Sequence, residues 1–426
     1  MLNDILRIIK KFIPRRIFTF FQPAYHYLLA FLGAVRYGFP SRHIAVIAIT
    51  GTKGKTTTAE FMNAILEEDG AKTALSSTLR FKIGDTSHPN KYKMSLPGRF
   101  FLQRFLHQAV SAGCTHAIIE ITSEAAKQYR HLFVDLDMLI FTNLAPEHIE
   151  SHGSFEKYAD AKLSIGRALV SSHKRPRIIV ANTDDVYGPR FLNLGADKNL
   201  AYTVTNVPEA SVSSHHINFL LGTTPVTIAQ GGAFNLQNAL AAATGAQGMG
   251  IADNIIARGL GRITTIRGRM EHVGAGQDFR VIVDYAHTPE SLTAAYQVFP
   301  TARKICVLGS TGGGRDTWKR PIMGSIADTH CAHIILTNED PYDEDPDHIV
   351  ADIIKGIVNT PYEIIMDRRK AIAHAYSLAK KDDVVYITGK GTDPYIMGKQ
   401  GKKMSWDDAT VAREELDTFS KKLLAQ

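Results

Sequence analysis

One stretch of the sequence decides the fold: Thr50-Gly51-Thr52-Lys53-Gly54-Lys55-Thr56-Thr57-Thr58. The apolar, β-branched run 44–49 before it predicts a buried strand, and the pattern over 57–68 after it predicts a helix. Backbone N–H groups of such a turn, with the positive end of the helix, bind phosphate oxygens. Lys55 then reaches the terminal phosphates and the hydroxyl of Thr56 binds Mg²⁺. The strict P-loop pattern is not met, because Ile49 replaces its first glycine. The alternative is a turn without a ligand.

Strand-like and helical patterns alternate outward from this loop. Strands are predicted over 117–121, 138–143 and 178–182, then in a second series over 281–284, 304–308, 333–337 and 384–388. Helices are predicted over 102–112, 155–170, 235–248, 289–298, 320–329, 346–358 and 368–380. Such alternation is typical of βαβ units and of α/β folds whose parallel sheets are covered on both faces.

Three regions follow from this pattern. Residues 1–43 form a basic and apolar helical extension, and residues 44–267 form a central P-loop-type domain with a parallel sheet. Residues 268–426 form a C-terminal, Rossmann-like α/β domain. A chain of 426 residues, 44% of them hydrophobic, is long enough for two or three buried cores.

Charge and cysteine content exclude some classes of protein. The formal charge is +7, which suits phosphorylated substrates, anionic lipid or nucleic acid. Nucleic acid ranks low because no helix-turn-helix, RNA-binding signature or long basic tail is present. Cys114, Cys306 and Cys331 lie far apart without a CxxC pair. We therefore expect neither a disulfide nor a cysteine-rich zinc site, as is typical of the cytoplasm.

The first 40 residues combine basic and large apolar side chains. No apolar run reaches the roughly 18 residues that span a bilayer, and no signal-peptide cleavage pattern is present. One interpretation is a helical extension packed on the main body. The other is a basic amphipathic segment in peripheral contact with a membrane surface.

A set of motifs in fixed order points to a family. They are Gly51-Thr52-x-Gly54-Lys55-Thr56-Thr57, Glu120-Ile121-Thr122-Ser123, Asn143-Leu-Ala-Pro-Glu147-His148-Ile-Glu-Ser-His152-Gly153, Tyr158-Ala-Asp-Ala-Lys162, Asn182-Thr-Asp184-Asp185, Phe234-Asn235-Leu-Gln-Asn238, Gly268-Arg269-Met270-Glu271, Asp284-Tyr285-Ala286-His287-Thr288-Pro289 and Arg315-Asp316-x-x-Lys319-Arg320. Over about residues 44 to 400 the chain resembles Mur ligases and folylpolyglutamate synthases. The last three motifs are most similar to the UDP-N-acetylmuramoyl-tripeptide synthetase (MurE) branch.

The resemblance implies an ATP-dependent carbon–nitrogen ligase of peptidoglycan precursor synthesis. Such an enzyme joins an amino acid to a muramoyl-peptide carboxylate through an acyl phosphate, with two Mg²⁺ ions, as a cytoplasmic monomer. By resemblance, the catalytic residues are Lys55, Glu120, His148, Lys162 and His287, and the metal ligands are Thr56, Glu120, His148 and a carbamylated Lys162. The ATP-binding residues are Thr52, Lys53, Gly54, Lys55, Thr56, Thr57, Asn235, Asn238, Arg269 and Asp284. The substrate residues are Ser95, Ser123, Arg130, Arg315, Asp340, Tyr342 and Asp393.

The sequence departs from this pattern in four places. Only 43 residues precede the first strand, too few for the family's N-terminal UDP-binding domain, so a lipid-linked or partner-presented donor stays open. Glu339-Asp340-Pro341-Tyr342 replaces Asp-Asn-Pro-Arg, which removes the guanidinium expected for diaminopimelate. The acidic residues Glu339, Asp340, Asp343, Glu344 and Asp345 favour a cationic amino acid such as lysine, and the alternative is an acidic loop that caps the next helix. Asp393 replaces a glutamate that binds an amino group, and Glu124 replaces a histidine.

Other functions remain open at this point. A folylpolyglutamate or poly-γ-glutamate ligase also lacks the UDP-binding domain, but Asp284-Tyr-Ala-His-Thr-Pro argues against it. An enzyme that amidates a lipid-linked muropeptide with a glutaminase partner suits the basic N-terminal segment, although the four-cysteine zinc insertion of that subfamily is absent. A nucleotide-binding scaffold without activity is disfavoured by the retained residues Lys55, Glu120, His148 and Lys162.

Overall fold

The computed structural model describes residues 15–98, 100–147, 149–205, 207–314 and 316–424, without the side chains of 15–20, 149 and 422–424. The helices are α1 Arg15–Arg36, α2 Lys55–Glu68, α3 Phe101–Ser111, α4 Ser123–Lys127, α5 Ile149–His152, α6 Phe155–Val170, α7 Gly188–Leu192, α8 Ala233–Gly248, α9 Asp253–Gly261, α10 Pro289–Tyr296, α11 Lys319–His330, α12 Pro346–Ile354, α13 Arg368–Leu378 and α14 Asp408–Leu424.

The strands fall into separate sheets. They are β1 Ala45–Thr50, β2 Thr73–Ser76, β3 Arg80–Ile83, β4 Thr86–Pro89, β5 His116–Glu120, β6 Met138–Phe141, β7 Ile178–Asn182, β8 Lys198–Tyr202, β9 Ser211–Val212, β10 Ile217–Leu221, β11 Thr224–Ile228, β12 Glu271–Val273, β13 Arg280–Asp284, β14 Lys304–Leu308, β15 His333–Leu336, β16 Tyr362–Ile364, β17 Val384–Thr388, β18 Tyr395–Met397 and β19 Lys403–Ser405.

The first large sheet has the order β4-β3-β2-β5-β1-β6-β7-β8. All neighbouring pairs from β2 to β8 are parallel, whereas β3 and β4 form an antiparallel edge. Side chains of β1 alternate between two cores: Ile47 and Ile49 pack with α2 and α8, and Val46 and Ala48 pack with α3 and α6. The predicted parallel sheet with both faces covered is confirmed.

A small antiparallel sheet, β11-β10-β9, was not predicted from the sequence. Its strands have two to five residues each, and only one face is buried. Ile217, Phe219 and Val226 point from that face into the core beneath α2 and α8. The sheet therefore extends the central core rather than forming one of its own.

The second large sheet has the order β12-β13-β17-β14-β15-β16. Only β12 is antiparallel to its neighbour, as expected for a Rossmann-like unit with one added edge strand. Helices α10, α11 and α12 cover one face, and α13 and α14 cover the other. The break between the sheets lies between α9 and β12, and the domain limits 44–267 and 268–426 stay a prediction.

The expectation of no disulfide was wrong. Cys306 in β14 and Cys331, directly after α11, are bonded, with their Cα atoms 6.1 Å apart. The two positions lie 25 residues apart in sequence, but β14 and β15 are parallel neighbours, so the end of the connecting helix returns beside β14. Spacing in the sequence does not reveal this proximity.

The predicted N-terminal helix is present as α1, and residues 1–14 lie outside the described part. Ala34 is buried, and the rings of Tyr27 and Phe31 contact that of Phe133 with centroids 5.1 and 5.3 Å apart. Other large apolar side chains of α1 are exposed: Phe21, Leu28, Leu32 and Val35. Within the described residues, no helix combines the length and apolar character needed to cross a membrane.

Candidate active site

The phosphate loop joins β1 to the first turn of α2. Gly54 has φ +82°, and a Cβ there would lie 2.1 Å from Oδ1 of Asn238, so only glycine fits. The ammonium group of Lys55 donates to the carbonyls of Gly51 at 3.0 Å and Thr52 at 2.9 Å. The cation is thus held over the loop, beside the N–H groups that open α2.

Glu120 lies at the carboxyl end of β5, next to the loop, because β5 pairs with β1 in parallel. Its carboxylate accepts from the hydroxyl of Thr56 at 3.0 Å, and from the backbone N–H of Thr78 at 2.9 Å and the hydroxyl of Thr78 at 3.0 Å. A hydroxyl and a carboxylate are oxygen ligands that suit Mg²⁺ when phosphate and water complete the shell. The residues present therefore fit one magnesium ion at this position.

Lys162 projects from α6 into the same region and is buried. Its ammonium group donates to the carbonyl of Gly51 at 2.6 Å and lies 4.7 Å from the ring centroid of Tyr158. Burial, and next the positive charge of Lys55, hold the pKa of Lys162 well below its usual value. An amine in such surroundings loses its proton readily.

His287 reaches the phosphate loop from the second sheet. Its Nε2 lies 3.0 Å from Oε1 of Glu147 and 3.4 Å from the ammonium nitrogen of Lys53, which itself lies 3.1 Å from Glu147. Burial lowers the pKa of His287 to about 4. Nδ1 donates to the carbonyl of Tyr285 at 2.7 Å, which leaves Nε2 facing both Glu147 and Lys53. These contacts close the space between the two sheets at the loop.

The other predicted nucleotide residues lie around this contact. Asn238 donates to Oδ1 of Asn235 at 3.2 Å, and both are buried at the start of α8 beside Gly54. Asp284 accepts from two backbone N–H groups, and burial raises its pKa. The guanidinium of Arg269 stacks 4.5 Å from the ring centroid of Tyr285. The adenine and ribose contacts of these residues stay a prediction.

Two predicted substrate residues meet at the loop before α3. The guanidinium of Arg130 donates to the carbonyl of Leu96, next to Ser95. The carbonyl of Ser95 accepts from the hydroxyl of Ser76 at 2.7 Å. Ser123 lies elsewhere, at the start of α4, where its hydroxyl is 3.1 Å from Nε2 of His152. We call residues 91–98 the donor loop.

The second sheet carries the predicted amino-acid residues. Asp340 and Asp393 both accept from Lys390, at 2.9 and 3.2 Å, and both also pair with Lys93 of the donor loop. Tyr342 borders an open cavity of about 490 Å³, which is lined by Gly313, Gly314, Tyr342, Asp343 and Glu344. The structure therefore brings the donor loop to the amino-acid residues.

Two predicted residues lie outside the described part of the chain, His148 and Arg315. Among the described residues, no group of three or more His, Cys, Asp and Glu side chains could hold a metal ion. A second magnesium site would need His148 and a modified Lys162, and it stays a prediction.

Comparisons with known proteins show the family to which this chain belongs. One family model, the Mur ligase middle domain, matches residues 49–246, and a second, the Mur ligase glutamate ligase domain, matches residues 268–391. The chain belongs to the Mur ligase family. A diaminopimelate-adding UDP-N-acetylmuramoyl-L-alanyl-D-glutamate ligase of Syntrophomonas wolfei is 35% identical over 403 residues, covering 91% of this chain and 81% of the relative. A UDP-N-acetylmuramyl-tripeptide synthetase of Roseiflexus is 36% identical over 417 residues, with the same coverage.

Solved structures share the fold of this Mur ligase. A UDP-N-acetylmuramoyl-L-alanyl-D-glutamate–2,6-diaminopimelate ligase is 27% identical with a TM-score of 0.60, covering 88% of this chain and 79% of its own. The folylpolyglutamate synthase of Mycobacterium tuberculosis, complexed with ADP and AMPPCP, has a TM-score of 0.68 at 16% identity, covering 85% of this chain and 92% of its own. The second likeness supports the fold alone.

Sequence reasoning missed several residues of this Mur ligase that touch predicted site residues: Thr78, Glu147, Lys93 and Lys390. Glu147 stands where the motif has an aspartate, and that substitution was its only signal. Lys93 has φ +56°, which side chains rarely adopt, but this strain is visible only in the folded chain.

Proposed function

We propose that this Mur ligase adds one amino acid to the carboxylate of a muramoyl-peptide in the cytoplasm, through an acyl phosphate, and acts as a monomer. As a family member it is an ATP-dependent ligase that forms amide bonds in peptidoglycan precursor synthesis. The observation that carries the finer proposal is the meeting of Lys53 with Glu147 and His287 at the phosphate loop. This contact brings the second sheet to the phosphate loop.

The reaction needs two bond exchanges. A carboxylate oxygen attacks the γ-phosphorus of ATP, the bond to the bridging oxygen breaks, and ADP leaves. The neutral amine of the amino acid then attacks the acyl carbon, phosphate leaves with the electrons of the carbon–oxygen bond, and the nitrogen loses a proton. Lys55 and Lys53 supply positive charge where the migrating phosphoryl group develops negative charge.

The chain's own residues also orient and shield the reactants. Magnesium, which Thr56 and Glu120 are suited to hold, supplies further positive charge to the phosphates. Closure of His287 over Lys53 excludes water, which protects an acyl phosphate from hydrolysis. Arg130 and the donor loop are proposed to hold the muramoyl-peptide, and Asp340 with Asp393 the amino acid.

Lys162 is proposed to carry a carbamate. Its neutral amine nitrogen attacks the carbon of CO₂ and forms the N–C bond, one C=O π bond of CO₂ breaks, and the nitrogen releases one proton, which turns a neutral side chain into an anionic one. Support comes from its burial, its lowered pKa and its position 2.6 Å from the carbonyl of Gly51. A buried anion there complements Lys55 and a magnesium ion.

A turnover assay tests the proposed ligase. The full chain with ATP, Mg²⁺, UDP-MurNAc-L-Ala-D-Glu and a panel of single amino acids should release phosphate and yield a product heavier by one amino-acid residue. The measurement is phosphate release with mass spectrometry of the product. Phosphate release without a heavier product, or folate glutamylation in place of muramoyl-peptide extension, would contradict the proposal.

We also propose that α1 lies on an anionic membrane surface. Its exposed apolar side chains are Phe21, Leu28, Leu32 and Val35. Positions 17–35 carry no charged residue, whereas Arg15, Arg16 and Arg36 stand at its two ends. Apolar exposure flanked by basic residues suits anionic lipid better than another protein surface. Helix α1 also packs beside Phe100 and Gln103, which follow the donor loop.

Vesicle sedimentation tests this contact. The double substitution Leu28→Glu and Leu32→Glu should weaken binding to phosphatidylglycerol vesicles about tenfold or more, because two apolar side chains no longer enter the lipid. The control is Val358→Glu, at an exposed apolar residue of the second domain. Equal binding of both variants, or self-association of the wild type without vesicle binding, would contradict the membrane proposal.

A further inference from the structure

The ammonium group of Lys93 lies between two carboxylates of the other domain. Its Nζ atom is 2.5 Å from Oδ2 of Asp340 and 2.9 Å from Oδ2 of Asp393. Lys93 is largely buried, with 18% of its side chain exposed, while Asp340 and Asp393 retain 6% and 7%. A side chain of the donor loop thus reaches into the region predicted to select the amino acid.

Charge balance explains why this place holds an ammonium group. Lys390, whose side chain is fully buried, donates to both carboxylates and to the carbonyl of Tyr395 at 2.7 Å. The two carboxylates and Lys390 leave one negative charge, and Lys93 neutralises it. Burial alone would lower the pKa of Lys93, but Asp393 and Asp340 raise it above its usual value. A second cation is therefore required whenever the carboxylates remain buried.

An unpartnered carboxylate oxygen nearby indicates that this region binds a ligand. Glu339 is 3% exposed, and its Oε2 atom has no hydrogen-bond partner among the described residues. This oxygen lies beside Gly389, where a Cβ would be only 2.3 Å away, and Gly389 directly precedes Lys390. Together with Asp393 and Asp340, Glu339 raises the pKa of the buried Tyr285 phenol. A buried carboxylate oxygen without a donor is costly, and a ligand N–H group would satisfy it.

We propose that Lys93 is an intramolecular occupant of an ammonium subsite formed by Asp340 and Asp393, and that an amino acid with a cationic side chain displaces it. The inference rests on the proposed ligase function and names its acceptor class. The attacking α-amine must be neutral, whereas an ammonium group between two carboxylates keeps its proton. The subsite therefore takes the side-chain ammonium of the acceptor, not its nucleophilic nitrogen.

Displacement couples the two substrates. Lys93 stands two positions before Ser95, in the loop that Arg130 contacts through Leu96. We infer that binding of the muramoyl-peptide to this loop draws Lys93 away from the carboxylates and frees the subsite for the amino acid. In the absence of the muramoyl-peptide, Lys93 competes with the amino acid for the subsite. The apparent dissociation constant of the amino acid is then its intrinsic value divided by the fraction of subsites that Lys93 leaves free.

Removing the competing ammonium tests the inference. Lys93→Met in the full chain should lower the KM for L-lysine about tenfold with little change in kcat, and should allow L-lysine to bind without donor in calorimetry. Lys93→Arg, which keeps the charge, should behave like wild type. The control is Lys381→Met, an exposed lysine outside the donor loop. Thermal unfolding of each variant confirms that it is folded.

Three outcomes separate the possibilities. A fall in kcat at unchanged KM for Lys93→Met would overturn the inference, since Lys93 would then serve the reaction itself. Preference of the wild type for a neutral or acidic amino acid over L-lysine would overturn it as well. If the wild type makes no product with any amino acid, the proposed ligase fails, yet calorimetry of L-lysine with wild type and Lys93→Met still decides whether Lys93 fills an ammonium subsite.

Discussion

Replacing Lys55 with methionine should reduce kcat for ligation by about 10³-fold or more. The ammonium group of Lys55 is held by the carbonyls of Gly51 and Thr52, at the N-terminal end of α2. Phosphate oxygens offer it stronger, charge-assisted hydrogen bonds, so it turns to the nucleotide on binding. Methionine has similar length and no charge, which removes the interaction that grows as the phosphoryl group migrates.

Kinetics and nucleotide binding together check this result. The expected pattern for Lys55→Met is a large loss of kcat with a smaller loss of ATP affinity, since backbone N–H groups of the loop remain. Lys381→Met, at an exposed lysine far along the chain, is the matched control. If Lys55→Met retains more than about a tenth of the wild-type kcat, the proposed catalytic role of Lys55 is wrong.

The regular elements of the fold could be predicted because their signals are local. β7, β14, β17 and α6 match their predicted bounds, since each is a continuous apolar run or an amphipathic repeat that ends at a polar turn. The small sheet of β9 to β11 was missed because β9 has only two residues and β11 contains Pro225, a residue that argues against a strand. The order of the strands in each sheet was also not predictable, because it depends on contacts between segments that are distant in the sequence.

The site was predictable only where one motif contains it. Residues 50–57 form a loop whose function follows from neighbouring residues, and the structure has this loop as expected. Lys93 and Asp340 are separated by 247 positions, and their contact depends on how two domains meet. The pairing of Glu147 with His287, 140 positions apart, has the same origin. Such contacts can be recognised only in the folded protein, because in the sequence each of these residues is an ordinary polar side chain.

Replacing Lys162 with methionine should reduce kcat by about 10²- to 10³-fold without unfolding the protein. A lysine buried beside Lys55 and Lys53 is electrostatically unfavourable as a cation, and both neighbours lower its pKa together with burial. A structural role alone would favour an apolar residue of the same length, so Lys162→Met should then be at least as stable as wild type and fully active. Loss of activity at unchanged stability therefore points to chemistry at this nitrogen.

Detection of a carbamate on Lys162 would identify that chemistry. In ¹³C-labelled bicarbonate, wild type should show one carbamate carbon by NMR that is absent from Lys162→Met and present in Lys157→Met, an exposed lysine on the same helix. The neutral amine reacts with CO₂, so the signal should weaken as pH falls and the amine is protonated. If the wild type shows no carbamate signal but the Lys162→Met variant still loses activity, the role of Lys162 is limited to its hydrogen bond with Gly51. Full activity of Lys162→Met would exclude any catalytic role for this lysine, because no other change is made at the site.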